Sequence, residues 1–240
     1  MTSSRVLNNR LLAALPISDR RRIVSSCDVV ELTLAELLYS PWEPLDFIYF
    51  PISSFISLIM PSGDSAAFEV GLVGNEGMLG TALALDTDMS AERATVGGAG
   101  SALRMRASAL HRELKRNGAL RGEIDRYIHV RMAQIAQAAI CAQFHLLEAR
   151  VACRLLMTQD RAGVSALQIT QEVLASKLGV RRAGITEAAS SLKQRRLIRY
   201  SRGVITVMDR RGLMSASCTC YQADRDFHDR IIDTRRARGG

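Results

Sequence analysis

The sequence has few cysteines and no order among them. Cys27, Cys141, Cys153, Cys218 and Cys220 are scattered and odd in number, which excludes a disulfide framework. Only Cys218-Thr219-Cys220 is closely spaced, and a C-x-C pair without two further ligands nearby in sequence is a weak signal for zinc or an iron–sulfur cluster. His111, His129, His145 and His228 show neither H-x-H nor H-E-x-x-H spacing, so each is expected at a surface or interface rather than on a metal. No run of about twenty apolar residues exists to span a bilayer, so no membrane partner is expected. Asn8, Asn9 and Arg10 interrupt the only early apolar run; no secretory signal is expected, and the chain reads as cytoplasmic. A glycine-rich phosphate loop is lacking too, since Gly97-Gly98-Ala99-Gly100 reads as a strand connection.

What is present points to DNA. Residues 170–189 read as two short helices folded about Gly179, a residue that enters the left-handed region without a Cβ penalty. Thr170 can cap the first helix, where Val173, Leu174 and Leu178 form an apolar stripe. Ile185, Ala188, Ala189 and Leu192 form its counterpart on the second. Ala175 is small, as a close helix crossing requires. In a helix-turn-helix the opening residues of the second helix meet base edges, and here those are Arg181, Arg182, Ala183 and Gly184. Arginine is the side chain that bonds guanine through two parallel hydrogen bonds.

Two helices about a glycine also occur in proteins that never touch DNA, and charge separates the readings. Residues 161–240 carry 16 Lys or Arg against 7 Asp or Glu, whereas residues 1–160 carry 16 against 17, so the whole net charge of +8 lies in the C-terminal third. Basic residues gathered in one module are the footprint of a polyanion site. Beyond the second helix, two β-rich arms flank Ser201-Arg202-Gly203 as a hairpin, and Arg199 and Arg202 would set positive charge beside a phosphate backbone. Helices closed by such a hairpin make a winged helix.

The N-terminal part carries short β-like runs at 29–34, 47–50, 55–60, 67–73, 95–96 and 103–105, separated by turns such as Pro61-Ser62-Gly63-Asp64 and Gly74-Asn75. Their spacing predicts an antiparallel double-sheet roll able to hold a small ligand, with a helix near 9–15 that Pro16 stops. A long helix follows over about 120–157, broken near 143–145. Ile128, Ile135 and Ala142 recur every seven residues, and Ile124, Arg131 and Ala138 fall on the same seam, a pattern suited to pairing with a second copy. At 240 residues, two domains and a connecting helix are expected: a roll over 1–118, a dimerisation helix over 119–144 and a DNA-binding domain over 145–240.

This order of parts resembles the bacterial transcription regulators of the cyclic-AMP receptor protein and FNR (Crp/Fnr) superfamily over nearly the whole chain. The most specific stretches are 155–160, 169–172, 178–182 and 197–203. The resemblance implies an α+β chain with an N-terminal double-stranded β-helix, that is, a jelly roll like a cyclic-nucleotide-binding domain. After it come a long dimerisation helix and a C-terminal winged helix-turn-helix domain. It also implies a homodimer on a two-fold related DNA site, RNA polymerase as a further partner, and an effector in the roll. Position by position, Arg182 matches the arginine that reads guanine. Ala183 stands where many members have glutamate, and Glu187 where the cyclic-AMP receptor has a second arginine, so the half-site differs from that member's. Gln171, Arg181 and Thr186 are further contact candidates.

At the effector end the pattern is broken, because Gly80 is followed by Thr81 rather than glutamate and Arg93 by Ala94 rather than serine. Glu76 and Arg93 remain as candidate anion or ribose contacts. These departures argue against a cyclic nucleotide, and the isolation of Cys27 ahead of the roll argues against an FNR-type iron–sulfur cluster. No cofactor is predicted. The rival reading, a small-molecule or metal-dependent enzyme on a cupin-like roll, needs clustered His and carboxylate ligands that the sequence does not display.

Overall fold

In the computed structural model, residues 8–62, 66–116 and 118–232 are described. The side chain of His228 and part of the turn expected at 61–64 lie outside them. The chain forms two compact units, one comprising Met1–Leu58, Leu72–Met132 and Arg230–Gly240, the other Ile59–Gly71 and Ala133–Asp229.

The first unit opens with α1 (Arg10–Ala13) and α2 (Ile17–Ser25). Asn9 caps α1 by accepting from the Leu12 amide at 3.1 Å, while its own amide donates to the carbonyls of Pro51 at 3.0 Å and Gly77 at 2.8 Å. This fully buried side chain therefore has its polar atoms satisfied by three segments at once. Strand β1 (Asp28–Leu32), β2 (Leu37–Tyr39), β3 (Phe47–Pro51), β4 (Phe55–Ser62), β5 (Ala66–Val73), β6 (Arg93–Gly98) and β7 (Gly100–Arg106) build two sheets, ordered β1-β7-β3 and β2-β6-β4-β5. The chain changes sheet at Ala99, so the four-residue glycine-rich run is a strand connection, with its first two glycines still inside β6. Both pairings made by β7 are antiparallel, Val30 facing Ala102 on one side and Phe50 facing Leu103 on the other. The helix expected at 9–15 is the short α1; α2, β2 and a 3₁₀ turn at Thr81–Leu85 were not expected.

Helix α3 (Ala107–Arg116) follows, then α4 (Gly118–Phe144), whose buried residues Leu120, Ile124, Tyr127 and Val130 join the core of the first unit. The chain breaks at His145 and Leu146 before α5 (Leu147–Ala162). The second unit continues with β8 (Ala166–Gln168), α6 (Gln171–Leu178), α7 (Arg182–Gln194), β9 (Ile198–Ser201), β10 (Val204–Val207), α8 (Arg210–Ala216) and α9 (Cys220–Ile232). Its core gathers Val151, Leu155, Leu174, Ile185, Leu192, Ile205 and Leu213, among others. A three-stranded sheet ordered β8-β10-β9 closes it.

Candidate nucleic-acid interface

Thr170 caps α6 by accepting from the Val173 amide at 3.1 Å, and Gly179 ends that helix with φ +64°. The turn then delivers the chain into α7 through Arg181. On α6 the buried residues are Leu174, Ala175 and Leu178, while Val173, placed in the apolar stripe by the sequence, is 44% exposed. The buried face of α6 is centred between Leu174, Ala175 and Leu178, and Val173, one position earlier, falls at its edge and stays partly in solvent. On α7, Ile185, Ala188, Ala189 and Leu192 all face inward.

Burying that face fixes what the other presents. Arg181, Arg182, Ala183, Thr186 and Glu187 are exposed, and Gln171 is half-buried at the start of α6. The Thr186 hydroxyl lies 2.9 Å from Gln171 Oε1 and 3.1 Å from the Arg182 carbonyl oxygen, so it is shared between them and links the openings of the two helices. No side chain caps the first turn of α7. Its amides and the positive end of its dipole are oriented as an anion site requires. Buttresses behind this face include Arg150, which donates to the Leu178 carbonyl at 2.8 Å and so satisfies the end of α6, and Arg195, paired with Glu148 at 2.6 Å.

The wing is a two-residue hairpin, with Val204 opposite Ser201 and Ile205 opposite Tyr200. Arg202 and Gly203 both have positive φ, 48° and 79°, the geometry of a type I′ turn. Arg199 and Arg202 are exposed on it.

Behind the interface a buried carboxylate organises two cations. Glu69, on the part of β5 that belongs to the second unit, meets Arg154 of α5 at 2.8 Å and Lys177 of α6 at 2.7 Å. Sequence reading assigned no role to any of the three, because Glu69 lies 85 residues from Arg154 and 108 from Lys177 in the chain.

The family of Crp-like helix-turn-helix domains matches residues 149–216, from α5 to the end of α8. No curated protein matches the chain in sequence. Among solved structures, FixK2 from Bradyrhizobium japonicum is similar with a TM-score of 0.68 at 13% identity, over 80% of this chain and 98% of that one. A Crp-family transcriptional regulator from Thermus thermophilus gives 0.67 at 15% identity, over 78% and 96%. The c-di-GMP-responsive global regulator CLP from Xanthomonas campestris gives 0.62 at 15%, over 80% and 99%. The chain thus has the fold of the Crp/Fnr regulators: a sheet-rich N-terminal part, a long helix and a C-terminal part similar to Crp-like helix-turn-helix domains. Among the described residues no helix is long and apolar enough to cross a membrane.

The residues picked for pairing along α4 divide into two groups. Ile124 is fully buried in the core of the first unit. Arg131 is buried as well, its charge acting on Glu92 and Tyr39; burial holds the Glu92 carboxyl above the usual carboxylate range, and Arg131 draws it back. Neither residue therefore faces outward, because a heptad reading cannot tell which side of a helix its own domain covers. Ile128 and Ala138 are half-buried, while Ile135 and Ala142 are exposed. Unanticipated by the sequence reading, Met132 (64%), Phe144 (75%) and Leu146 (83%) are exposed along the same stretch.

The effector candidates are dispersed. Glu76 is buried and accepts from the Gly74 amide at 3.0 Å within its own turn. Gly80 takes φ +93° and leads into the 3₁₀ turn, with Thr81 half-buried. Alternation along β6 buries Ala94 and turns Arg93 to solvent. A cleft of about 200 Å³ lies elsewhere, lined by Tyr39, Glu43, Asp46, Phe47 and Tyr49 among others. Phe55 fills the space over β6 so closely that a Cβ on Gly97 or Gly98 would stand 2.4 or 2.2 Å from its ring.

Proposed function

We propose that this chain regulates transcription as a homodimer that reads a two-fold related DNA site with the opening of α7. The observation that carries the reading is the exposed row Arg181, Arg182, Ala183 and Thr186 at the uncapped start of that helix, inside a Crp-like domain. Arg182 reads a guanine; Arg181, Gln171 and Thr186 contact phosphate or neighbouring bases. Glu187 on the same face accepts from a cytosine amino group, and Ala183 leaves room for a thymine methyl. Arg199 and Arg202 touch the flanking backbone.

The second copy pairs along α4 through the exposed stripe of Met132, Ile135, Ala139 and Ala142, with Ile128 at its inner edge. Such a pair sets two recognition helices about one helical turn of DNA apart, near 34 Å. A signal acts by changing that spacing, and any effector that enters the roll beside β6 has to displace Phe55. RNA polymerase is the partner through which bound dimer changes transcription.

The test is a gel shift of the full chain against genomic fragments, including the region upstream of its own gene. Wild type is expected to give saturable, sequence-dependent binding, and Arg182→Ala to weaken the specific complex by about 1–3 kcal/mol, roughly 5- to 150-fold, while leaving non-specific binding nearly intact. Binding that is absent at low salt, or indifferent to this substitution, overturns the assignment.

A further inference from the structure

We propose that Cys141, His145, Cys218 and Cys220 form a mononuclear zinc site that ties the last turn of α4 to the segment joining α8 and α9. One ligand atom from each of the four residues lies within 4.8 Å of all the others. Cys141 Sγ is 3.6 Å from Cys218 Sγ, and Cys220 Sγ is 3.3 Å from His145 Nδ1. A tetrahedron with metal–sulfur bonds of about 2.3 Å and metal–nitrogen bonds of about 2.0 Å has edges of roughly 3.8 and 3.5 Å, so these two distances match its edges to within a few tenths of an ångström, and closing the remaining pairs from at most 4.8 Å takes small side-chain shifts.

Local structure explains how they meet. Cys141 and His145 are four apart at the C-terminal end of α4, which puts both on one side of it. Cys218 and Cys220 bracket Thr219 at the start of α9, and the chain turn there aims both thiols the same way. All four belong to the second unit, within which Gln134 of α4 donates to Asp224 of α9 at 2.7 Å and holds these two helices in register.

The donor set selects the metal. Three thiolates and an imidazole are soft to borderline ligands, which disfavour magnesium and calcium. Four protein ligands close the tetrahedron and leave no open position, the mark of a structural rather than a catalytic zinc. A binuclear iron–sulfur cluster divides its four ligands between two irons and needs a wider spread than this one.

Outer contacts fit the assignment. Gln137 Nε2 donates to Cys220 Sγ at 3.1 Å, the bond that steadies a metal-bound thiolate. Cys153, buried and within hydrogen-bonding reach of Cys141 and Cys218, packs behind the site. Four of the five cysteines thus converge here, whereas Cys27 belongs to the first unit, its thiol donating to the Ile23 carbonyl at 3.2 Å and burial pushing it up to about 12. Cys218 and Cys220 are buried while Cys141 and His145 are partly open, so a metal ion can reach the site from solvent.

The experiment is elemental analysis and cobalt spectroscopy on the full-length protein, purified under reducing conditions. Wild type and Cys27→Ser are expected to carry about one zinc per chain. Cys220→Ser and His145→Ala should bind metal at least about 100-fold more weakly, and Gln137→Leu about 10- to 100-fold more weakly. Chelator-stripped wild type titrated with Co²⁺ should develop thiolate charge-transfer absorption and the visible bands of a tetrahedral centre, saturating at one equivalent and abolished by Zn²⁺. That titration needs no variant to fold. Metal-free wild type without a cobalt spectrum, stoichiometric iron in place of zinc, or a Cys141–Cys218 disulfide in the reduced preparation would each overturn the proposal. None of these readouts involves DNA, so they stand or fall apart from the function proposed above.

Discussion

Arg202 occupies a backbone position that suits asparagine or glycine, and Arg196, just past the end of α7, does the same at φ +59°. Each left-handed conformation costs an ordinary side chain about 1 kcal/mol, and strain kept at an exposed arginine points to use of its charge. Arg202→Asn should therefore raise the melting temperature slightly while weakening DNA binding and lowering the slope of log affinity against log salt by about one. A melting temperature and a salt titration on the same preparation check both halves. At this scale the sequence was legible where a residue has one conformational use: Thr170 as a cap and Gly179 as a turn both stand where expected. It was not legible where the choice was between neighbours. Val173 beside Leu174, and Ile124 and Arg131 among the residues of α4, take sides that only the packed domain decides.

Elements followed the same logic, with length setting the limit. Strands β3, β4, β5 and β7 and helices α4, α5 and α7 are long or apolar enough to announce themselves. The three-residue strands β2 and β8 and the arginine-rich α2 have too little pattern to stand out, and β8 exists because β10 offers it an edge, Ile205 facing Leu167. The tetrad of Cys141, His145, Cys218 and Cys220 escaped because its halves lie 75 to 77 residues apart. Within the roll, β6 accepts Phe55 through two glycines, which the sequence alone read as a mere connection. Gly98→Ala would drive a methyl group into that ring and is expected to destabilise the protein by about 1–3 kcal/mol in urea unfolding. Adding Phe55→Leu should recover part of the loss, whereas additive effects would mean that the two do not share the space.

The molecule as a whole was legible in its order of parts, since a short-stranded half, a long apolar-striped helix and a basic C-terminal third are properties of long stretches rather than of single residues. Which surface of the helix stays bare was not, because the roll covers one side and the sequence carries no mark of it. Ile135→Lys is expected to leave a folded monomer by sedimentation and to abolish tight operator binding, with non-specific binding kept; a variant that stays dimeric would exclude this seam. In the proposed dimer, a chain that alone leaves Met132, Ile135, Phe144 and Leu146 in water gains cohesion from its twin. Thinning the solution should then act as a mild denaturant, and the midpoint of heat unfolding should climb with every tenfold increase in protein concentration, as mass action demands of subunits that complete one another.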